Sequence, residues 1–288
     1  MASIIIPAHN EATVIGRTLE SLADGTLRPD TLVVVACNGC TDGTEQIVRG
    51  FDGRLRLETL EMPAASKQSA LNAAEAHLAQ TGEADNFPRI FLDADIAAPA
   101  ESLNEVFRVL ESGRVLAARP PLVYRTEGVE APVKAYYDAR MRTPEVLSAL
   151  WGAGVFAVGA EGRARWAEFP ADAPDDLFVD ALFSPEEKCV VAADPVPVEV
   201  PRTTRALVRT LKRVYRPSQK VQELGQSTTG SSGSTLKSLL KANSGSPRQL
   251  LDAGCYCALA VAARLQDRLE PAARHRSELH WERDDTTR

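Results

Sequence analysis

The amino-acid sequence predicts an α/β fold in which helices cover both faces of a mainly parallel sheet, with a helical extension at the C-terminal end. Short apolar runs without polar alternation recur through the first 120 residues, as expected of strands that are buried on both faces. Segments with the spacing of amphipathic helices separate these runs, which is typical of parallel sheets. Hydrophobic residues make up 44% and charged residues 25% of the 288-residue chain, a balance that excludes a disordered protein.

Strands and helices alternate in the first half of the chain. Apolar, mostly β-branched runs predict strands at residues 4–6, 32–36, 55–60, 90–92 and 115–118. Helical spacing of apolar residues predicts helices at residues 10–22, 44–48, 66–80 and 100–110. Asn10 and Ser66 are the expected N-caps of the first and third helices. Because ligands of such sheets bind beyond the carboxyl ends of the strands, we expect functional residues just after Ile6, Ala36, Leu92 and Val158.

The second half of the chain is less regular. The predicted helices cover residues 136–150, 177–183, 205–215 and 246–269, with a strand at 154–158 and an extended segment at 190–200. Residues 225–235 contain only Gly, Gln, Ser and Thr, which predicts a mobile loop, either a lid over bound substrates or a plain linker. The expected organisation is a domain at 1–216 with halves at 1–120 and 121–216, a flexible Gly/Ser-rich loop at 217–247, and a helical extension at 248–288.

Charge and cysteine content exclude several classes of protein. The 33 basic and 39 acidic residues give a formal charge of −6, whereas a general nucleic-acid binder is basic, so we expect no nucleic-acid partner. Five cysteines are an odd number, which favours free thiols in a reducing compartment, and Cys37 and Cys40 lack a second pair at zinc-site spacing. The first residues lack a signal-peptide pattern, and no apolar run reaches the about 20 residues of a transmembrane helix. The predicted location is cytoplasmic, with peripheral membrane contact left open.

Polar residues follow the first two predicted strands. The stretch from Pro7 to Glu11 contains none of the glycine-rich phosphate-binding patterns, which argues against the common nucleotide-binding folds. Asn38 lies in a turn after the second strand and can offer its side-chain amide to a base or a ribose. Lys67 falls in the first turn of the third helix, where the helix dipole already favours anions. It is either a solvated lysine or part of a phosphate site.

Two carboxylates, Asp93 and Asp95, directly follow the predicted strand at residues 90–92. Placed two residues apart at the exit of a buried strand, they suit a hard divalent cation that bridges a diphosphate. Mg²⁺ and Mn²⁺ fit this description, because either ion retains waters and shares its shell with phosphate oxygens. The alternative is a pair of acids in an ordinary turn.

A second acidic pair, Asp175 and Asp176, opens the predicted helix at residues 177–183. The helix dipole stabilises acids at this position, so a structural role is one interpretation. The other is a general base that removes the proton of an acceptor hydroxyl. Asp172 and Asp180 add negative charge nearby, which raises the basicity of a neighbouring carboxylate.

Six basic residues between Arg202 and Arg216 accompany the apolar stripe of the predicted helix at 205–215. They form a solvated face, a clamp on a diphosphate leaving group, or an interface with anionic lipid. The sequence leaves these three interpretations open.

Together these motifs resemble the large family of inverting GT-A glycosyltransferases often called family 2. Matching stretches occur in the family's order over about residues 2–216, namely Ser3 to Glu11, Asn38 to Thr44, Lys67 with Ala70 to Asn72, and Phe91 to Asp95. Further stretches, Gly152 to Ala157 and Asp175 to Val179, resemble the family's acceptor-side strand and acidic pair. The resemblance implies a GT-A fold and an enzyme that moves one sugar from a nucleoside-diphosphate sugar to an acceptor hydroxyl.

The resemblance also implies roles for single residues. The residues expected at the nucleotide sugar are Pro7, His9, Glu11, Asn38, Lys67, Asp93 and Ala94. Asp95 would bind the metal together with Asp93, and Mg²⁺ or Mn²⁺ would act as a Lewis acid on the leaving nucleoside diphosphate. Asp176 would be the base, with Asp175 beside it. The donor would be UDP- or GDP-linked, and the acceptor a small molecule, a glycan or a lipid-linked group.

The chain departs from the family pattern at two points. The family usually has an acid at the position of Cys37 or Asn38, often in contact with a uracil, so the donor's base stays open. The Gln-x-x-Arg-Trp motif of processive members is absent, with only a loose counterpart at residues 213–216, which favours transfer of a single sugar. Two other functions remain: a sugar-1-phosphate nucleotidyltransferase, which needs a basic glycine-rich loop after the first strand, and a non-catalytic nucleotide-sugar-binding module, which needs neither acidic pair.

Overall fold

The computed structural model describes residues 1–63, 66–171, 173–212 and 232–269. The strands in chain order are β1 Ala2–Ala8, β2 Thr31–Asn38, β3 Arg56–Met62, β4 Arg89–Leu92, β5 Ala117–Arg119, β6 Leu122–Arg125, β7 Val155–Val158, β8 Lys188–Val190 and β9 Val196–Glu199. The helices are α1 Ile15–Leu22, α2 Thr44–Arg49, α3 Lys67–Gln80, α4 Ala100–Glu111, α5 Ala131–Arg140, α6 Pro144–Ser148, α7 Ala160–Arg163, α8 Asp175–Ala181, α9 over residues 204–212, α10 Ser232–Ala242 and α11 Pro247–Leu269.

Seven strands form one mostly parallel sheet in the order β3-β2-β1-β4-β7-β5-β8. β1 pairs in parallel with both β2 and β4, and β2 pairs in parallel with β3. Alternate side chains of β1 enter two cores, since Ile4 and Ile6 pack in the core that includes α1 and α4, whereas Ile5 packs in the core that includes α3. Every residue of β1 is buried, as a strand with helices on both faces must be. The predicted α/β architecture is confirmed.

β7 runs antiparallel to both of its neighbours, β4 and β5. Leu92 at the end of β4 pairs with Val155 at the start of β7, and Arg89 pairs with Val158. The expectation of functional residues just after Val158 is therefore wrong, because that end of β7 lies at the opposite edge of the sheet. The residues that precede β7, Gly152 to Gly154, lie instead beside the exit of β4. A four-residue apolar strand has the same pattern in either direction, so the sequence did not reveal this reversal.

Two predicted helices begin or break elsewhere. Asn10 has a φ of +55° and does not cap α1, whose N-cap is Val14. Residues 136–150 are not one helix but the second half of α5 followed by α6, with a break at residues 141–143. Pro144 explains the break, because proline disfavours helical backbone at the residue before it, and Thr143 is extended with a ψ of 117°.

Short strands escaped the sequence analysis. β6 pairs in parallel with β9 as a separate two-stranded sheet, and β9 lies within the segment predicted to be extended. β8 pairs in parallel with β5 at one edge of the main sheet. Strands of three or four residues carry too little alternation to be recognised without their partners.

The C-terminal helices pack on the second half of the domain. Val133 and Tyr136 of α5 share a core with Leu207 of α9 and Leu259 of α11. The rings of Tyr136 and Tyr256 are stacked with centroids 4.5 Å apart and an interplanar angle of 6°. The predicted helical extension is therefore attached through an apolar interface. No helix in the described part of the chain is long and apolar enough to cross a bilayer.

Within the segment 217–247, predicted to be a flexible loop, residues 232–242 form helix α10. Leu239 is buried against Ala139 of α5 and Ala253 of α11. This packing stabilises a helix that the Gly/Ser composition alone does not favour. Residues 213–231, which include most of the suggested lid at 225–235, lie outside the described residues.

Candidate active site

The loops after β1 and β2 are joined by hydrogen bonds at the carboxyl edge of the sheet. The left-handed backbone of Asn10 places its Oδ1 where it accepts a hydrogen bond from the Thr41 amide at 2.7 Å. His9 Nδ1 donates to the backbone oxygen of Asn38 at 2.6 Å. His9 is thereby held against the end of β2. The loops after β1 and β2, with the predicted nucleotide-binding residues His9, Glu11 and Asn38, therefore form one continuous wall beside the carboxyl edge of the sheet.

Glu11 and Asn38 are the buried members of this wall. The Glu11 amide donates to Thr44 Oγ1 at 2.7 Å. Asn38 is fully buried and donates Nδ2 to the backbone oxygen of Ser66 at 2.5 Å, which ties β2 to the N-cap of α3. Within the described residues the Asn38 Oδ1 atom has no hydrogen-bond partner. Because a buried acceptor without a donor is costly, this oxygen is suited to receive an N–H from a ligand.

All five cysteines lie in the described residues, and all are free thiols. Cys37 is completely buried, and burial raises the pKa of its thiol. A thiol with a raised pKa is a poor nucleophile and a poor metal ligand. Cys37 and Cys40 therefore serve as small packing residues at the end of β2.

Lys67, the first residue of α3, lies between the two acidic pairs. Its Nζ is 2.6 Å from Asp93 Oδ1 and 2.8 Å from Asp175 Oδ1. Although burial disfavours the charged ammonium, the carboxylates of Asp175, Asp93 and Asp176 raise the pKa of Lys67 above its ordinary value. The unfavourable placement of a cation at a helix N-terminus is thus offset by two carboxylates, and the lysine is not merely solvated.

Asp93 and Asp95 leave β4 in different surroundings. Burial raises the pKa of Asp93 to about 7; Lys67 opposes this rise, whereas Asp175 and Asp95 add to it. The Asp95 carboxylate has no hydrogen bond or ion pair with any residue that the structure describes, while its backbone oxygen accepts from Arg17 Nη2 at 3.2 Å. The side chain of Ala94 between them is buried in the core.

The donor set of Asp93 and Asp95 fits a hard divalent cation. Within the described residues no group of three or more His, Cys, Asp or Glu side chains is arranged to hold a metal. Mg²⁺ sites of phosphate-transfer enzymes commonly use one or two carboxylates, with water and phosphate oxygens completing the shell. Both aspartates line one open cavity, and the Asp95 carboxylate is available there, so a cation completed by a diphosphate fits this chemistry.

The segment before β7 brings the second acidic pair to Asp93. Gly154 has a φ of +64°, its backbone oxygen accepts from the Asp93 amide at 2.8 Å, and a Cβ there would lie 2.6 Å from Ile96 Cγ1. Gly152, with a φ of +86°, donates its amide to Asp176 Oδ2 at 3.1 Å. Both positions need glycine, the first because of close approach and the second because of its backbone conformation.

Asp175 and Asp176 differ in what they face. Asp175 is buried, with 7% of its side chain exposed, and is paired with Lys67. Asp176 also borders a cavity of about 220 Å³. The lining of this cavity is Val14, Arg17, Asp93, Asp95, Ile96, Gly152, Gly154, Asp176, Val198 and Glu199. Burial, followed by the Asp175 charge, raises the pKa of Asp176, against the effects of Lys67 and two backbone amides. The carboxylate open to the cavity is thus Asp176.

The structure brings most of the predicted site residues together. A narrow space of about 10 Å³ is bordered by Pro7, Lys67, Asp93, Asp175 and Asp176, among others. Asp95 joins them through the larger cavity. His9, Glu11 and Asn38 form the adjoining wall and border neither space, and the Ala94 side chain faces the core.

Asp180 and the basic helix lie apart from this site. Asp180 accepts from the Leu150 amide at 2.7 Å and pairs with Lys188 Nζ at 2.6 Å, so it is neutralised and holds α8 in place. The expectation that Asp180 raises the basicity of the pair is therefore wrong; burial and Asp175 do so. Asp172 lies outside the described residues. Arg205 and Arg209 of α9 border neither cavity.

Sequence analysis missed three polar residues near the site. Arg17 on α1 and Glu199 at the end of β9 border the large cavity. Arg140, the last residue of α5, donates Nε to the Tyr124 hydroxyl at 3.0 Å, and its guanidinium lies over the ring of Trp151, 4.9 Å from the centroid. Its Nη2 would be 3.4 Å from a Cβ at Gly152. None of the three belongs to a recognisable sequence motif, so only the tertiary structure places them at the site.

Curated relatives match over a short stretch only. Validoxylamine A glucosyltransferase of Streptomyces hygroscopicus subsp. limoneus is 39% identical over 59 residues, which is 20% of this chain and 13% of the relative. The protein of the same name from Streptomyces hygroscopicus subsp. jinggangensis (strain 5008) is 41% identical over 59 residues, which is 14% of its length. The match thus spans about an eighth of the length of these relatives.

Solved structures share the fold over most of the chain. Mannosyltransferase PcManGT from Pyrobaculum calidifontis, in complex with GDP-Man and Mn²⁺, has a TM-score of 0.62 at 23% identity, covering 96% of this chain and 78% of that one. S. aureus TarS 1–349, in complex with UDP-GlcNAc, has a TM-score of 0.52 at 14% identity, covering 92% of each chain. The protein therefore has the GT-A fold.

The family profile described as glycosyl transferase family 2 matches residues 3–153. This range runs from β1 through the acid pair after β4 to the glycine segment beside Asp176. It thus spans the sheet edge at which the predicted site assembles. The match covers more than half of the chain, and the chain belongs to glycosyl transferase family 2.

Proposed function

We propose that the protein is a divalent-metal-dependent, inverting glycosyltransferase that moves one sugar from a nucleoside-diphosphate sugar to an acceptor hydroxyl. One observation carries the proposal: Asp93, Asp95 and Asp176 border a single cavity of about 220 Å³ at the carboxyl edge of a GT-A sheet. A metal-and-diphosphate site and a general base have to face one space if an acceptor is to attack the sugar carbon. Family membership supports the reaction class.

The donor side of the site is assigned to the edge formed by β1, β2 and β4. Asp93 and Asp95 would hold Mg²⁺ or Mn²⁺, and the bound ion supplies Lewis-acid stabilisation of the leaving diphosphate. Lys67 adds a positive charge beside Asp93. Asn38 Oδ1, buried and without a partner among the described residues, would accept a base or ribose hydrogen. The neighbouring structures hold GDP-Man in one case and UDP-GlcNAc in the other, so the proposal covers both bases.

Asp176 would act as the general base. The acceptor hydroxyl oxygen attacks the anomeric carbon, its proton passes to the Asp176 carboxylate, and the bond from that carbon to the diphosphate oxygen breaks. Because attack and departure occur on opposite faces, the anomeric configuration inverts. The raised pKa of Asp176 increases its proton affinity while the Gly152 and Leu177 amides orient it.

The acceptor is assigned to the side of Gly152. Arg140, Tyr124 and Trp151 lie next to this glycine and offer hydrogen-bond donors and aromatic rings to an acceptor, which would be a small molecule, a glycan or a lipid-linked group. The absence of the motif typical of processive members supports transfer of one sugar.

The test is an assay of donor cleavage with UDP- and GDP-sugars in Mn²⁺, Mg²⁺ or EDTA, with an acceptor panel and the product anomer read by NMR. The proposal expects nucleoside diphosphate release that needs metal, and an inverted product. Pyrophosphate release from a nucleoside triphosphate and a sugar 1-phosphate would instead identify a nucleotidyltransferase. Tight donor binding without turnover in any combination would identify a binding module.

A further inference from the structure

Large hydrophobic side chains are exposed unevenly over the described residues. Nine are exposed, and six of these lie on α10 and α11. The six are Leu236, Leu240, Leu250, Leu251, Val261 and Leu265. Single exposed apolar residues are ordinary, whereas a concentration on two adjacent helices marks an interaction surface.

Helix α11 is apolar on two opposite sides. One side, with Ala253, Leu259 and Ala263, is buried against the neighbouring helices. The opposite side is exposed and follows the spacing of one helix face; its members are Leu251, Gly254, Ala258, Val261 and Leu265. No charged residue occurs between Asp252 and Arg264. A surface helix normally places polar residues on its outer side. The apolar outer side of α11 therefore indicates a surface that binds a partner.

The exposed charges carried by these two helices up to residue 266 have one sign, and an acid beside α10, Glu145 of α6, accepts a hydrogen bond from Ser238 Oγ at 2.7 Å. Over described residues 232–266 the exposed charged residues are Lys237, Lys241, Arg248 and Arg264. The single carboxylate of that range, Asp252, is nearly buried and paired with Arg142 at 2.9 Å. On α10, Leu236 and Leu240 alternate with Lys237 and Lys241 along one exposed side.

The basic character extends beyond the two helices. Arg205 and Arg209 are exposed on α9, which shares its core with α11. Residues 202–251 contain ten basic residues and one acidic residue, in a chain whose formal charge is −6. Along the sequence, basic residues are therefore concentrated at 202–251 in an otherwise acidic chain.

The exposed apolar sides of α10 and α11 could bind either a second copy of the chain or a membrane, and charge decides between these two partners. A second copy docked on this surface would bring Lys237, Lys241 and Arg248 of both chains together, which opposes association. An anionic bilayer attracts the lysines and arginines and accepts the leucines below its headgroups. We propose that the exposed sides of α10 and α11 bind the surface of an anionic membrane, without spanning it.

This contact would hold the active site near the bilayer. Leu239 of α10 and Ala253 of α11 pack on Ala139, and the next residue, Arg140, lies beside Gly152 at the rim of the cavity. An acceptor group carried by a lipid would then reach the Gly152 side from the membrane. The surface itself is argued from exposure and charge, so it does not depend on the proposed reaction.

The experiment is sedimentation of the full-length protein with vesicles of phosphatidylcholine alone or of equal parts phosphatidylcholine and phosphatidylglycerol. We expect binding to the anionic vesicles, loss of that binding at high salt, and little binding to neutral vesicles. The double variants Leu236→Ser/Leu240→Ser and Lys237→Glu/Lys241→Glu should each lower the partition coefficient at least tenfold. The matched controls Val123→Ser and Arg114→Glu, exposed on other elements, should stay within about twofold of the wild type.

Thermal unfolding of each variant separates lost binding from lost folding, and donor cleavage in solution should be unchanged in the α10 variants. Absence of binding to anionic vesicles by the wild-type protein overturns the proposal, as does equal binding by the variants and their controls. A dimer in solution that Leu251→Ser/Val261→Ser converts to a monomer, without vesicle binding, would also overturn it and assign the surface to a second copy.

Discussion

At the scale of single residues, neighbouring carboxylates of the site differ in what they face. Asp175 and Asp93 are both paired with Lys67, whereas Asp95 and Asp176, which border the large cavity together with Asp93, have no ion pair among the described residues. Sequence position does not distinguish the members of each pair, because an acid and its neighbour share the same local motif. Their contacts do, and these contacts lead to two predictions.

Asp95→Ala should weaken metal-dependent binding of the preferred nucleoside diphosphate at least about tenfold, which corresponds to about 1.4 kcal/mol. The reason is that the mutation removes the open carboxylate of the proposed metal site while leaving the core untouched. Calorimetry with Mn²⁺ measures the change, and Asp138→Ala, a surface acid paired with Lys134, is the control. Unchanged affinity in Asp95→Ala would remove the residue from the metal site.

Asp176→Asn should lower kcat at least about 10²-fold with donor affinity within a few fold, since a positioned base contributes about 10²–10⁴. Amide for carboxylate keeps the size and one hydrogen-bond acceptor but removes proton affinity. Single-turnover assays and donor titrations separate the two effects. An active Asp176→Asn enzyme beside an inactive Asp175→Asn enzyme would transfer the role to Asp175.

At the scale of elements, the site depends on backbone that allows close approach. The exit of β4 and the entry of β7 meet where the Asp93 amide donates to the Gly154 oxygen, and any Cβ at Gly154 would collide with Ile96. The short helix α6, in turn, is fastened by Arg119 at the end of β5. This buried guanidinium donates to the backbone oxygens of Val146 and Ala149, and burial lowers its pKa to about 10.

Gly154→Ala should lower the free energy of unfolding by about 1–3 kcal/mol, because the added Cβ meets Ile96 Cγ1 at 2.6 Å and the φ is +64°. Gly254→Ala in α11 is the matched control, since a Cβ there meets nothing within 4 Å. That substitution should stabilise the protein by about 0.5–1 kcal/mol. Denaturant unfolding of both variants measures the difference, and equal effects would contradict the strain assigned to Gly154.

Arg119→Met should lower the free energy of unfolding by about 2–4 kcal/mol, since it leaves several buried carbonyl oxygens without donors. Arg108→Met, which removes an exposed arginine paired with Glu105, should change it by no more than about 0.5 kcal/mol. Chemical unfolding compares the two. A small effect of Arg119→Met would mean that α6 is held by apolar packing alone.

At the scale of the whole molecule, helices α10 and α11 pack on α5 through shared apolar cores. Helix α5 connects the cavity to these C-terminal helices. Its Arg140 lies near Gly152, and its Tyr136 stacks on Tyr256 of α11. The charge is unevenly distributed along the sequence, since residues 202–251 are basic and the rest of the chain is acidic. The packing of α10 and α11 on α5 and the basic residues of this segment are both consistent with the proposed contact with an anionic membrane.

Tyr256→Ala should lower the free energy of unfolding by about 1–3 kcal/mol, because it removes a stacked, half-buried ring from the interface of α11 with α5. Leu251→Ala on the exposed side of the same helix should change it by no more than about 0.5 kcal/mol. Thermal or denaturant unfolding, followed as one transition, measures both. A separate early transition that Tyr256→Ala leaves unaltered would show that α11 folds apart from the domain.

The sequence by itself determined the strand and helix alternation, the parallel core and the residues of the site edge. Runs such as Ile4 to Ile6 are apolar at every position, and only a strand covered on both faces requires this. The carboxyl-end rule then singled out Asp93 and Asp95, helix-start chemistry singled out Lys67, and the family resemblance singled out Asp176 as the candidate base. The fold prediction succeeds because the physics behind it is local: periodicity and residue chemistry act within a few neighbours.

Only the tertiary structure decided how these pieces meet. The direction of β7, the pairing of Lys67 with Asp93 and Asp175, and the neutralisation of Asp180 by Lys188 all join residues far apart in the chain. Helix α10 forms where composition predicted a loop, because burial of Leu239 outweighs the low propensity of Gly and Ser. Long-range pairing and burial have no signal in a local window, and they determine which carboxylate faces the cavity and which side of α11 faces solvent.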